Sequence, residues 1–365
     1  MKILLLIDGF GSGGAQRQMV TLSILFKENG HNVSFLTYSD DDFFQKKVEE
    51  NNINIYRIET NNYINRIFKV RKFIREGKYD AVISFMDVPN FLNNFAAIGR
   101  KRWRVITSER SSKESYFLSI QGIIFGWFQR FSDLIVCNSN NAKEMWKKYY
   151  PSYSNKIKVI YNPVVLPKIS SEYTARKDGK INIVVAASYQ YLKNPVGLVK
   201  ALVLLNEEEK KRININWYGK KNVSITGVKA YEETYKIIQE NNLNSVIQLH
   251  EETDDILNKM HESDIIALFS KLEGLPNVIC EGMMIGKPII MSCVSDFSEL
   301  VDESNGFLCE WNKLDTIRNA ILATVNLTND ELAIKGENSR KKAEKLFRPN
   351  IILSNWLDAI GITES

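Results

Sequence analysis

Short runs of β-branched or continuously apolar residues alternate with amphipathic stretches along the whole chain, and this alternation restricts the fold more than any other feature. "KILLLI" (2–7), "NVSFLT" (32–37), "INIYRI" (53–58), "DAVISF" (80–85), "RVITS" (104–108), "DLIVCN" (133–138) and "IKVIYN" (157–162) read as strands. Strands without a polar face, separated by segments of helical length, predict a parallel sheet covered by helices on both sides. The pattern then restarts. After a polar stretch punctuated by Pro163, Pro167 and Gly179 come "INIVVAAS" (181–188), "INWYG" (215–219), "VIQLH" (246–250), "DIIALFS" (264–270), "KPIIMS" (287–292) and "GFLCE" (306–310). Two doubly wound domains are expected, with a linker over residues 164–180.

The 365 residues agree with that count, because one hydrophobic core stops growing before this size. An apolar fraction of 44% and a charged fraction of 25% are those of an ordinary globular protein and exclude a disordered chain. Cys137, Cys280, Cys293 and Cys309 are scattered without metal-ligand spacing, so reduced thiols in a cytoplasmic protein are expected. The opening "MKILLLIDG" resembles a signal peptide only until Asp8, and a buried first strand is the better reading. No stretch of eighteen apolar residues is present to span a membrane.

Charge is uneven. Residues 1–165 carry 24 Lys and Arg against 15 Asp and Glu, whereas residues 166–365 carry 24 against 28. Residues 57–104 hold 11 basic and 4 acidic residues and end in "GRKRWRV", where Trp103 sits among Lys101, Arg102 and Arg104. Such a run is either a solvated face or a surface for anionic lipid headgroups or pyrophosphate. In "SYFLSIQGIIFGWFQRF" (115–131), Phe117, Ile120, Ile124, Trp127, Phe128 and Phe131 recur at helical spacing. Packing inside the protein is the first reading and a membrane-dipping surface the second.

Both halves begin with a strand running into a loop suited to an anion. In the first, Gly9, Gly11, Gly13 and Gly14 let backbone N–H groups approach a phosphate at a helix N-terminus, although the spacing is not that of a dinucleotide fingerprint. In the second, Lys193 follows the strand "VVAAS". Two such domains facing each other would form a ligand cleft at the carboxyl ends of the sheets. The stretch "EGLPNVICEGMMIGKP" (273–288) emerges from one such end, and its helix should stop at Gly286 before Pro288. It places Glu273 in the loop and Glu281 among Ile279, Cys280, Met283 and Met284, where a half-buried carboxylate needs hydrogen-bond donors such as ribose hydroxyls. "SDDD" (39–42) has a D-x-D spacing but reads as a helix N-cap cluster, not a metal site.

The segment "SKLEGLPNVICEGMMIGKPIIMS" resembles the E-x7-E signature of glycosyltransferase family 4, retaining enzymes of the two-domain GT-B fold. "GSGGAQRQM", "SDLIVCNS" (132–139), "KVIYNPV" (158–164), "YLKN" (191–194) and the tail "FRPNIILSNWLDAIG" (347–361) extend the similarity over nearly the whole chain. The resemblance implies a GT-B α/β fold in which two Rossmann-like domains face across a cleft. Residues 1–163 would form the acceptor-side domain and residues 181–345 the donor-nucleotide domain, with 346–365 a final helix crossing back to the first.

It further implies roles. Glu273 would contact the donor sugar and Lys193 the diphosphate, as the two catalytic positions. The backbone of Gly274, Leu275, Pro276, Asn277 and Val278 would lie near sugar and diphosphate, and Glu281 would hold the ribose. Gly13 and Gly14, also donor-binding positions, would approach the phosphate and acceptor side from the first domain. Many members carry Gly-Arg where this chain has Ala187 and Ser188, so Ser188 takes a donor-side position without that cation. None of His31, His250 and His261 lies in "ITSERSS" (106–112), where many members carry a histidine; Arg110 is the acceptor-side candidate there, its alternative being a surface Arg paired to Glu109.

The expected activity is transfer of a hexose from a UDP-sugar to a lipid-linked saccharide in bacterial surface polysaccharide or lipopolysaccharide assembly. The donor is the only small-molecule requirement: no cofactor and no metal are expected. The inner face of the cytoplasmic membrane is the expected surface partner, and nucleic acid is not expected as one. The alternatives are a UDP-sugar 2-epimerase-like enzyme and a non-catalytic nucleotide-sugar-binding protein.

Overall fold

A computed structural model describes residues 1–110, 114–166, 179–223 and 225–361. The chain divides into two compact units, Met1–Val165 with Phe347–Ser365, and Leu166–Leu346. Most of the stretch expected as linker, residues 167–178, lies outside the described residues, as do Ser111 and Ser112 of "ITSERSS".

The first unit holds a seven-stranded parallel sheet of β1 (Lys2–Leu6), β2 (Asn32–Thr37), β3 (Asn54–Arg57), β4 (Ala81–Phe85), β5 (Arg104–Glu109), β6 (Leu134–Cys137) and β7 (Ile157–Val159), in the order β3-β2-β1-β4-β5-β6-β7. Leu5 stands opposite Phe35 on one side and Ile83 on the other. Side chains alternate between the two faces of such a strand, and here both faces are covered. Ile3, Leu5, Phe35, Ile83 and Ile106 enter one core, and Leu4, Leu6, Leu36, Val82 and Val105 the other.

The C-terminal helix Pro349–Ile360 belongs to this unit: Ile352, Trp356 and Ile360 join the first of those cores. Trp356 stacks on Phe85 with ring centroids 6.0 Å apart, and Lys158 pairs with Asp358 at 2.5 Å.

The second unit holds a six-stranded parallel sheet of β8 (Ile181–Ala186), β9 (Ile213–Tyr218), β10 (Ile247–His250), β11 (Ile265–Leu268), β12 (Ile289–Ser292) and β13 (Gly306–Cys309), in the order β10-β9-β8-β11-β12-β13. Its core is built on Ile183, Val185, Ile215, Trp217, Ile265, Ala267 and Ile290. In each sheet the strand order turns back at one pair of neighbours, β1 with β4 and β8 with β11. Loops leaving the carboxyl ends of such a pair diverge to opposite faces and leave a crevice for a ligand.

Three expectations need correction. The aspartates of "SDDD" do not cap a helix: the helix Gln45–Glu50 begins after Phe44, whose side chain caps nothing, while Asp41 accepts from Ser39 Oγ at 2.8 Å and Asp40 pairs with Arg57 at 3.5 Å. Trp103 is buried instead of being displayed among the cations. The apolar residues of 115–131 divide, with Phe117 and Phe131 packed inward and Ile120, Ile124 and Trp127 exposed.

Candidate functional site

In the second unit, the loop leaving β8 is pinned before it reaches Lys193. Trp217 Nε1 donates to Ala187 O at 2.6 Å, and the Tyr189 hydroxyl donates toward the carbonyls of Trp217 and His250 at 2.8 and 2.9 Å. A Cβ on Gly219 would come within 2.0 Å of Ala187 O, so glycine allows β9 to press against the half-buried Ala187–Ser188 segment. The chain then forms a 3-10 turn over Tyr191–Lys193 and starts the helix Pro195–Val203 after Asn194, which is left-handed at φ 63°. Asn194 Nδ2 donates to Trp311 O at 2.8 Å and fixes that turn.

The loop leaving β11 runs beside it. Lys271 N donates to Leu192 O at 2.8 Å, and the Lys271 ammonium lies 5.2 Å from the Trp311 ring centre. Two residues further on, Glu273 Oε1 accepts from Lys193 Nζ at 2.6 Å. The pair joins the two strands of the switch point and is largely buried, so its charges are screened less than those of a surface pair. Ser295 Oγ donates to Gly274 O, which holds the Gly274–Leu275–Pro276 turn from the β12 side.

The helix Asn277–Ile285 starts at Pro276 without a side-chain cap and ends at Gly286, whose φ of 88° suits glycine. Its first-turn amides make a positive pole beside the Lys193–Glu273 pair. Glu281 lies on this helix about 6 Å beyond Asn277, from the rise of about 1.5 Å per residue. It is half-buried, next to the buried Cys280, whose thiol is pushed well above its usual range by burial and by the Glu281 charge. A Cβ on Gly282 would meet Ile266 Cγ1 at 2.8 Å, so the helix sits close on β11. Lys193, Glu273, Gly274 to Val278 and Glu281 therefore occupy one neighbourhood.

In the first unit, the loop after β1 carries the glycines. Asp8 Oδ1 accepts from Gly9 N at 2.8 Å and from Gln16 Nε2 at 3.2 Å, and burial raises its carboxyl pKa. Gly13 begins the helix Gly14–Glu28 without a side-chain cap, and Gly13 and Gly14 are exposed. None of Gly9, Gly11, Gly13 and Gly14 has positive φ; a Cβ on Gly9 would meet Ser39 Cβ at 3.0 Å, and the exposed Gly13 and Gly14 leave their backbone amides accessible.

Strands β4 and β5, the helix Asp87–Ala96 and the turn Gln129–Phe131 hold a buried polar cluster that no motif in the sequence announces. Glu109 Oε1 accepts from Asn90 Nδ2 at 2.9 Å and from Gln129 Nε2 at 3.3 Å. Gln129 Oε1 in turn accepts from Thr107 Oγ1 at 2.7 Å and Asn94 Nδ2 at 3.1 Å, and Asn90 Oδ1 accepts from Ser84 Oγ at 2.8 Å. Burial first, and the Asp87 carboxylate second, push the Glu109 pKa up to about 8. Met86, just before Asp87, has φ 74°, a strained value for a residue with a side chain.

Arg110 is not an exposed residue paired to Glu109. Its guanidinium lies 3.5 Å from the Phe85 ring centre and donates to Asn162 Oδ1 at 2.5 Å, and burial lowers its pKa. Asn90, Gln129 and Asn162 escaped sequence reading because buried amides look like surface residues there. Asn194 did carry a signal, an Asn directly before Pro at a helix start.

Two doubly wound units, the second with an ion pair and an uncapped helix at its switch point, define the GT-B class of glycosyltransferase. Residues 12–166 match Glycosyltransferase Family 4 and residues 168–343 match Glycosyl transferases group 1. The chain belongs to glycosyltransferase family 4 and is a glycosyltransferase.

Among its relatives is the Campylobacter jejuni GalNAc-alpha-(1->4)-GalNAc-alpha-(1->3)-diNAcBac-PP-undecaprenol alpha-1,4-N-acetyl-D-galactosaminyltransferase, 26% identical over 99% of this chain and 98% of that protein. The Escherichia coli UDP-Gal:alpha-D-GlcNAc-diphosphoundecaprenol alpha-1,3-galactosyltransferase is also 26% identical, over 88% of this chain and 84% of its own length. The crystal structure of Anabaena Alr3699/HepE in complex with UDP superposes with a TM-score of 0.84 at 18% identity, covering 99% of both chains. That likeness establishes the shared fold.

Proposed function

We propose that the protein transfers a sugar, with retention of anomeric configuration, from a UDP-sugar to a saccharide carried on a lipid diphosphate. The observation that carries this reading is the 2.6 Å Lys193–Glu273 pair beside the uncapped helix Asn277–Ile285. Without donor, each member neutralises the other. A bound diphosphate draws Lys193 away, and Glu273 is then free to accept hydrogen bonds from sugar hydroxyls. Lys193 and the amides of the Gly274–Val278 segment stabilise the departing UDP, while Glu281 accepts from the ribose hydroxyls. The anomeric carbon to phosphate-oxygen bond breaks, the acceptor hydroxyl bonds to that carbon on the same face, and its proton passes to the leaving phosphate oxygen. The protein supplies positioning and charge, not a nucleophile.

In this reading Gly13 and Gly14 approach the donor phosphate and the acceptor, and Arg110 serves the acceptor side. The names of the two enzymatic relatives, both acting on undecaprenol diphosphate saccharides, favour a lipid-linked acceptor. Incubation with UDP-sugars and undecaprenyl-diphosphate saccharides should release UDP, and Glu273→Ala should abolish release while UDP still raises the melting temperature. Full turnover by Glu273→Ala would reject the assignment. The same thermal-shift measurement across UDP- and GDP-sugars identifies the donor.

A further inference from the structure

The loops leaving the carboxyl ends of the second sheet carry five lysines and no arginine. Four of the five hold a carboxylate: Lys193 pairs with Glu273 at 2.6 Å, Lys220 with Glu252 at 3.6 Å, Lys221 with Glu251 at 2.6 Å and Lys313 with Glu310 at 2.7 Å. Lys271 differs. Among the described residues its ammonium has no carboxylate partner and instead lies 5.2 Å from the ring centre of Trp311.

The fold puts that lysine beside the donor-side pair. Lys271 N donates to Leu192 O at 2.8 Å, next to Lys193, and Glu273 follows two residues later. Two residues span at most about 7 Å, so the flexible four-carbon stem of Lys271 starts within reach of the Lys193–Glu273 pair. Trp311 is tied to the same turn, since its carbonyl accepts from Asn194 Nδ2 at 2.8 Å. Ring, lysine and ion pair therefore share one support.

The formal charges of this neighbourhood call for another cation. Lys193 brings one positive charge, Glu273 and Glu281 bring two negative ones, and the only charged residue of the loop after β12 is the acidic Asp296. The diphosphate of a nucleotide sugar adds two more negative charges, of which the first-turn amides of the helix Asn277–Ile285 offset about half of one. Lys271 is the nearest lysine in sequence to that helix start and the one not already held by a carboxylate.

We propose that Lys271 is a second diphosphate-binding cation of the donor site, which exchanges the Trp311 ring for the phosphates when a nucleoside diphosphate binds. The inference rests on the reading that the second unit holds a nucleotide-sugar donor. An ammonium resting on an exposed ring is held more weakly than one making charge-assisted hydrogen bonds to phosphate oxygens, so the exchange runs toward the ligand. Two lysines side by side would repel each other. One parked on a carboxylate and the other on a ring stay apart until an anion draws both together. As the bond to the anomeric carbon breaks, negative charge grows on the departing diphosphate, so the second cation serves turnover as well as affinity.

The test measures binding of UMP, UDP, GMP and GDP to the whole chain by calorimetry, with no acceptor. Lys271→Met keeps an apolar stem against Trp311 and removes the charge. It should weaken the diphosphate that the wild type binds by about tenfold and the matching monophosphate by less than about threefold, and Lys271→Arg should recover most of the loss. Tryptophan fluorescence should change when the diphosphate is added, and both Trp311→Phe and Lys271→Met should remove that change. An equal loss for monophosphate and diphosphate would assign Lys271 to holding the loop and overturn the proposal, as would unchanged diphosphate binding by Lys271→Met; either result leaves the donor reading standing. A wild-type chain that binds neither UDP nor GDP would reject the donor reading and this proposal with it.

Discussion

Glu109→Gln should change how stability depends on pH. The amide is nearly isosteric and keeps an oxygen for Asn90 Nδ2 and Gln129 Nε2, so packing and hydrogen bonds are retained. In the unfolded chain this carboxyl ionises near 4.5, whereas in the fold, where Glu109 is 4% exposed, it keeps its proton to about pH 8. Between those values the unfolded state sheds a proton that the folded state retains, so a rise in pH favours unfolding. Below 4.5 the effect is absent, and above about 8 it is constant. At about 1.4 kcal/mol per pH unit, the full cost at pH 8 is on the order of 4 kcal/mol, and glutamine removes it.

Thermal or urea unfolding of both proteins at pH 5 and pH 8 measures the difference. Relative to wild type, the variant should gain on the order of 4 kcal/mol between those values, roughly 8 to 16 °C in the melting of a unit of this size. Asp87→Asn should produce a smaller shift in the same direction, because the Asp87 carboxylate is the second cause of the raised pKa. A difference between wild type and Glu109→Gln that stays constant from pH 5 to pH 8 would refute the reasoning.

Cys293 is the one exposed cysteine, so a thiol reagent should label one equivalent in the native protein and four after denaturation. Trp356→Ala should cost about 3 to 5 kcal/mol and lower the melting of the first unit, by leaving a cavity under Phe85. Gly282→Val should cost about 1 to 3 kcal/mol in thermal unfolding, since its side chain has to displace Ile266.

The strands were legible because each is a short apolar run closed by polar residues, and all thirteen runs read from the sequence became strands. The end of the helix at Gly286 was legible for the same local reason: only glycine sits comfortably at that φ. What escaped reading depends on pairing between distant residues. Nothing in the spacing of Lys193 and Glu273, 80 positions apart, says that β8 and β11 are neighbours whose loops place the two at 2.6 Å. Arg110 illustrates the limit from the other side: beside Glu109 in sequence, it finds Phe85 and Asn162 in the fold. For the helix Ile120–Phe128 the sequence left an inward and an outward reading open, because periodicity reports that a helix has an apolar face, not which way the face points, and Ile120, Ile124 and Trp127 are exposed.

The helix Pro349–Ile360 also sets a timetable for the first unit. Its Ile352, Leu353, Trp356, Leu357, Ala359 and Ile360 belong to a core whose remaining members lie before residue 166, so that core lacks a wall while Leu166–Leu346 is being synthesised. At ordinary elongation rates this delay lasts on the order of ten to forty seconds. During it the second unit, contiguous in sequence, has all it needs to fold. A chain released early therefore carries a complete second unit beside an unfinished first one, whose bare apolar face would mark the product for chaperones and proteases.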